Sequence, residues 1–231
     1  MGAGYSVTHQ SPSEWQHSLP ACLLGFNRTG LAPAGFHQEV SPSHLRFPLF
    51  QVLPSAIFTV PSLTFRTLHC FFVIAHGRRR VLHFNVTAHP TSDWIVHQLR
   101  DALPLPCSYR YILFDRDAKF GNEVFEFLEA TGVRPIRTTA RSPWQNGIAE
   151  RWVGSARREL LDHVIPLNEQ HLRRLGREYL AYYHEDRTHI GLEKTTPARR
   201  PIEACPRQAR NVLALPRIGG LHHRYTWSQA A

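Results

Sequence analysis

The order in which apolar spacing changes along the chain limits its fold more than any other feature. Ile57 to Val60, Thr67 to Ala75 and Arg80 to Thr87 are rich in β-branched and aromatic residues, with turn chemistry at His76-Gly77 between the last two. This pattern predicts a three-stranded antiparallel meander. Pro90-Thr91-Ser92-Asp93 then supplies helix-start chemistry ahead of Trp94, Ile95, Leu99 and Leu103, which are spaced to bury one face. Tyr109 to Phe114 reads as a short strand ending at Asp115. Val124, Phe125, Phe127 and Leu128 read as a helix ended by Gly132, and Val133 to Thr138 as one more strand. The order is βββαβαβ, which predicts an α/β domain. After a loop from Ala140 to Gly147, Ile148 to Val164 is expected to form one long helix. Asn168 to His184 is expected to form another, with Leu172, Leu175, Tyr179 and Tyr182 on its inner face. No structure is assigned beyond Pro197.

Composition divides the chain of 231 residues near residue 55. Residues 1–55 hold only Glu14, Arg28, Glu39 and Arg46 as charged groups, together with six prolines and no sustained period. They are expected to be a disordered or non-native leader, followed by a core over 56–200 and a basic tail over 201–231. The 27 Lys+Arg against 18 Asp+Glu leave a formal +9. Because the leader is balanced, that surplus belongs to the body, and it favours a polyanionic partner, most simply nucleic acid. Lys119 and Lys194 are the only lysines. The arginine excess suits bidentate phosphate contacts, although coding bias accounts for it equally well. Cys22, Cys70, Cys107 and Cys205 are too scattered for a zinc site or a disulfide framework, and the 15 histidines form no HxxxH or HExxH pattern. The apolar run Ala21 to Phe26 is far too short to span a membrane, so a cytoplasmic protein is expected.

Two carboxylates stand where chemistry could use them. Asp115 ends a predicted strand and Glu150 lies on a predicted helix, with 34 residues between them, so one sheet edge could hold both near a divalent cation. A two-metal site needs a third. Taken singly, each reads first as a solvated surface group, the usual condition of Asp and Glu.

The surrounding residues carry more. Ser142-Pro143-Trp144-Gln145-Asn146-Gly147-Ile148-Ala149-Glu150-Arg151 resembles the S-P-x-x-N-G-x-x-E signature of integrase cores. Asp115-Arg116-Asp117-Ala118-Lys119-Phe120 resembles the segment around their second catalytic aspartate. Tyr183, Arg187, His189, Leu192, Thr196 and Pro197 resemble the ending found in bacterial insertion-sequence transposases of the Asp-Asp-Glu group. The resemblance covers about residues 56–200. It implies a ribonuclease-H-like mixed five-stranded sheet flanked by helices, and metal-dependent phosphodiester cleavage and strand transfer. Mg²⁺ or Mn²⁺ would be held by Asp115 and Glu150. The implied partners are DNA and further copies of the chain, with no small-molecule substrate and no membrane. Arg157, Arg151, Gln145, Asn146 and Arg141 are implied to face DNA. Arg78-Arg79-Arg80 reads at least as readily as a solvated turn.

Two departures from the pattern are small: Asp117 replaces a glycine and His184 an asparagine. A third is larger. Phe58 to Phe65 resembles the first core strand, yet the place of the first catalytic aspartate falls on Ser55-Ala56-Ile57. Ala56 is the best match, Ile57 the alternative, and neither can bind a metal. Asp93 and Asp117 are poor substitutes. The missing carboxylate and the composition break coincide, as a frame change or altered start would produce. The expected outcome is a DNA-binding integration protein with impaired chemistry. The alternative is an active recombinase that takes a third ligand from another residue or a partner chain.

Overall fold

The computed structural model describes residues 51–228 apart from 104–106, 141 and 206–210. The described residues lie in a compact unit, Phe47–Ala231. Its centre is a five-stranded sheet of β1 (Val52–Pro61), β2 (Thr67–Ile74), β3 (Val81–Thr87), β4 (Tyr111–Phe114) and β5 (Arg134–Arg137), in the order β3-β2-β1-β4-β5. β1, β2 and β3 pair antiparallel, whereas β4 pairs parallel with β1 and β5 parallel with β4. This is the expected mixed sheet.

Alternation along the strands gives the sheet two cores. Ala56, Phe58 and Val60 of β1 and Leu68, Cys70, Phe72 and Ile74 of β2 face α3 (Gly147–Ala156) and α4 (Glu169–Glu185), where Trp152 tilts over Phe72 at 4.2 Å between ring centroids. Leu53 of β1 and Phe71 and Val73 of β2 face α1 (Ser92–Ala102) and α2 (Asn122–Ala130). β2 is thus buried on both sides, which explains its unbroken apolar run.

The helix starts follow their sequence signals. Thr91 caps α1 by accepting the Trp94 N–H, and Asn168 caps α4 by accepting the His171 N–H at 2.9 Å. Gly132, with φ +76, ends α2 in the left-handed region that glycine reaches most easily. Gly176 lets α4 close onto β3: a Cβ there would lie 2.2 Å from Phe84 Cε1.

Three elements differ from expectation. β1 begins at Val52, inside the stretch read as leader. Pro54 is tolerated because Val52–Pro54 pair with β4 alone and pairing with β2 starts at Ser55. The rest of the leader, 1–50, lies outside the described residues. The single helix expected from Ile148 to Val164 is α-helical only to Ala156. Arg157–Leu161 widen into a π turn, in which the Asp162 N–H reaches the Arg157 carbonyl at 2.8 Å. Within the tail, β6 (Val212–Arg217) and β7 (His222–Trp227) form an antiparallel hairpin. β6 is exposed along most of its length and so shows no buried-face periodicity to read.

Candidate active site

Asp115 follows the last residue of β4, and Glu150 projects from the first turn of α3, where its charge complements the helix N-terminus. Burial raises the Asp115 pKa above the ordinary carboxylate value, and the charges of Asp117 and Glu150 push it the same way. The Asp117 N–H, donated to Asp115 Oδ1 at 3.3 Å, and Lys119 oppose that shift. Asp117 is committed elsewhere, to Lys119 Nζ at 2.9 Å.

β1 lies beside this pair. Its parallel register with β4 ends at Pro54 opposite Leu113, and Ser55 Oγ donates to the Leu113 carbonyl at 2.9 Å. Two residues past that last pair β1 reaches Ala56, just as β4 gives way to Asp115. Ala56 is 5 % exposed and belongs to the core cluster that includes Ala149, the neighbour of Glu150. Ile57 belongs with the opposite face. Among the described residues no three His, Cys, Asp or Glu side chains converge as a metal cluster.

The signature around Glu150 builds the loop that carries it. Gln145 closes the loop by accepting the Thr139 N–H at 2.6 Å and donating to Thr139 Oγ1 at 3.1 Å, while remaining exposed. Asn146 is buried, and its side chain donates to the Ser55 carbonyl at 3.0 Å, tying the start of α3 to β1. Arg151 is exposed on α3. Arg157 is exposed at the end of α3, with its guanidinium 3.4 Å from the Thr59 carbonyl and 5.9 Å from the Phe58 ring centroid. Arg141 lies outside the described residues.

The downstream ending forms a clamp. Arg187 donates to Glu159 of the π turn through Nε and Nη2, the shortest contact being 2.6 Å, and the Tyr179 hydroxyl donates to the same carboxylate at 3.0 Å. Tyr183 and His189 pack edge to face, and Arg78 donates to the Thr196 carbonyl at 2.5 Å. Sequence reading missed the division of labour within Arg78-Arg79-Arg80. Arg78 joins this clamp, whereas Arg79, held at φ +56, lines a small cleft with Arg151 and Trp152. No spacing rule marks that difference.

The sheet order is that of a ribonuclease-H-like fold. Residues 131–197, from the end of α2 through α3 and α4 to Pro197, match the family model of the integrase core domain. This is a domain of DNA integration and recombination proteins. No curated protein matches the chain in sequence. Its fold is similar to a chain of the simian T-cell lymphotropic virus intasome in complex with PP2A regulatory subunit B56 gamma. That match has 18% identity and a TM-score of 0.54, and covers 92% of this chain and 76% of the other. It is also similar to the HTLV-2 integrase catalytic core domain in complex with magnesium in its trimeric form, with 13% identity and a TM-score of 0.50 over 64% of this chain and 94% of that one. Among the described residues no helix is long and apolar enough to cross a membrane.

Proposed function

We propose that this chain is a DNA-integration protein of the Asp-Asp-Glu type that binds DNA through its core and is impaired in phosphodiester chemistry. The observation that carries the reading is Ala56, on the face of β1 that turns toward α3 and level with Asp115. Asp115 and Glu150 fit a divalent cation such as Mg²⁺ or Mn²⁺ as two of its ligands, and the magnesium in the HTLV-2 core supports that assignment. They do not make the anionic cage that a two-metal phosphoryl transfer needs. Bound there, the cation would supply Lewis-acid activation of a phosphodiester. The chain's own residues contribute position: Asn146 fixes α3 against β1, and Gln145 shapes the loop before Glu150. Arg157 and Arg151, with Arg141 and Gln145, are assigned to DNA. The chain is expected to assemble with further copies, in keeping with the trimeric form of the HTLV-2 core.

The test is strand transfer of a labelled duplex with Mg²⁺ or Mn²⁺, alongside binding of the same duplex, for the unmodified chain and Ala56→Asp. The expected result is binding by both and transfer only by the variant. Efficient transfer by the unmodified chain would overturn the impaired reading and favour a third ligand from another residue or subunit. Absence of DNA binding would overturn the assignment itself.

A further inference from the structure

A small cleft lies where the β2–β3 turn, α3, the end of α4 and the segment after it meet. It is lined by Arg79, Arg151, Trp152, Ser155, Tyr183 and His189. The Arg79 and Arg151 guanidinium groups and the Trp152 indole can only donate, whereas the Ser155 and Tyr183 hydroxyls can also accept. Trp152 is 3 % exposed and His189 5 %, and both Trp152 Nε1 and His189 Nε2 are buried without a hydrogen-bond partner. An indole N–H can only donate. On His189, Nδ1 lies 3.2 Å from Arg187 Nη1, a donor-only group, so the remaining ring proton belongs on Nε2. The Tyr183 carbonyl influences the ring without meeting Nε2 in hydrogen-bond geometry.

Charge points the same way. Arg79 and Arg151 lie close enough to repel, and neither forms an ion pair with a carboxylate among the described residues. Arg187 also bears on Arg79, but Glu159 neutralises it. Buried donors left unpaired are unfavourable, and two unpaired guanidinium groups add repulsion, so the cleft favours an oxyanion.

We infer that this cleft takes a backbone phosphate of bound DNA, held by Arg79 and Arg151 at its mouth, beneath which the Trp152 indole and His189 ring lie as neutral donors. The inference rests on the DNA-binding reading above and adds a fixed phosphate contact, one residue along α3 from Glu150, that would set the duplex relative to that carboxylate. Gly191 leaves room for the Arg79 guanidinium, since a Cβ there would come 2.3 Å from it.

The test follows the Trp152 indole N–H resonance by ¹H–¹⁵N correlation, assigned with Trp152→Phe, while inorganic phosphate or a short DNA duplex is added to the full chain. Both are expected to shift it. In parallel, Arg79→Gln and Arg151→Gln should each weaken duplex binding and lower the slope of log K against log salt by about 1, with Arg174→Gln leaving it unchanged. Gly191→Ala, which displaces the Arg79 guanidinium without removing its charge, should weaken binding as well. A chain that binds DNA with an unmoved Trp152 indole and unaltered slopes would overturn the inference and leave the DNA-binding reading standing. Failure to bind DNA, with the indole still moved by phosphate, would overturn that reading and reduce the cleft to an oxyanion site. An indole unmoved by either probe means that the cleft holds only water, and the inference falls.

Discussion

Removing Arg187 should loosen the core more than any loss at the carboxylate edge. The Arg187 and Glu159 side chains are 23% and 22% exposed, and Arg187 supplies three of the four contacts to that carboxylate. Breaking a fully buried pair from one side costs about 3–5 kcal/mol because a charge is stranded. With about a fifth of each side chain in solvent, Arg187→Ala should cost roughly 2–3 kcal/mol, or about 4–12 °C in melting temperature for a domain of this size. Denaturant unfolding of Arg187→Ala, Glu159→Gln and the double variant gives the coupling, expected above about 1 kcal/mol because Gln removes the stranded charge. The pH dependence adds a second check. Burial alone would raise the Glu159 pKa, but Arg187 and the Tyr179 hydroxyl outweigh it and hold it below 4.5. A depressed carboxylate stabilises the fold above its unfolded value, and that contribution is lost as pH falls through the folded value. The acid-side loss should shrink in Arg187→Ala. A cost under about 0.5 kcal/mol with negligible coupling would refute the clamp.

Gly176→Ala should destabilise by about 1–3 kcal/mol in thermal unfolding despite the better helix propensity of alanine, because Phe84 must move. Phe84→Leu in the same chain should restore part of the loss. His184 accepts the Val81 N–H through Nε2 at 3.0 Å and is held neutral, its pKa lowered to about 4 by burial and by Arg80. Its contribution is present above pH 6.5 and is lost as pH falls toward 4, so His184→Gln should flatten the stability profile across that window in denaturant titrations. Ala56→Asp should lower the melting temperature in EDTA and regain it with Mn²⁺, by about 2.7 kcal/mol at a hundred times the dissociation constant. An equal Mn²⁺ response in the unmodified chain would remove Ala56 from the metal site.

Much of this was legible in the sequence, for identifiable reasons. The β2 and β3 runs and the α1 and α4 faces carry strong periods and capping residues, and the structure places them within a residue or two of expectation. The start of β1 was hidden because Pro54 sits where pairing is one-sided, a tertiary circumstance that no local rule contains. The π turn was hidden because Arg157 to Leu161 are good helix formers, and the widening brings Glu159 to Arg187 and Tyr179, residues distant in sequence. The β6–β7 hairpin is held less by apolar burial than by polar ties. Arg217 and Arg224 pair with the buried carboxylate of Asp186, and His222 stacks on Tyr182 at 4.4 Å. Its one local signal was Gly219-Gly220 between two runs.

The motif residues divide by what they contact. Asn146, Tyr183, Arg187, His189 and Thr196 are tied into the core, whereas Glu150, Arg151 and Arg157 are exposed. A chain can therefore keep most of the pattern for its fold alone. On the proposed reading, the absence of a carboxylate at position 56 costs that fold nothing, since Ala56 packs in the core. Burial already raises the Asp115 pKa, with Asp117 and Glu150 pushing it the same way, and a further anion at the buried position 56 would add repulsion that a cation could offset. On the proposed reading, alanine at that position avoids the repulsion and favours a stable core over an active one. Ala56→Asp in metal-free buffer is the direct measure of that balance: it should be less stable than the unmodified chain, and the difference is the folding free energy the active arrangement would require.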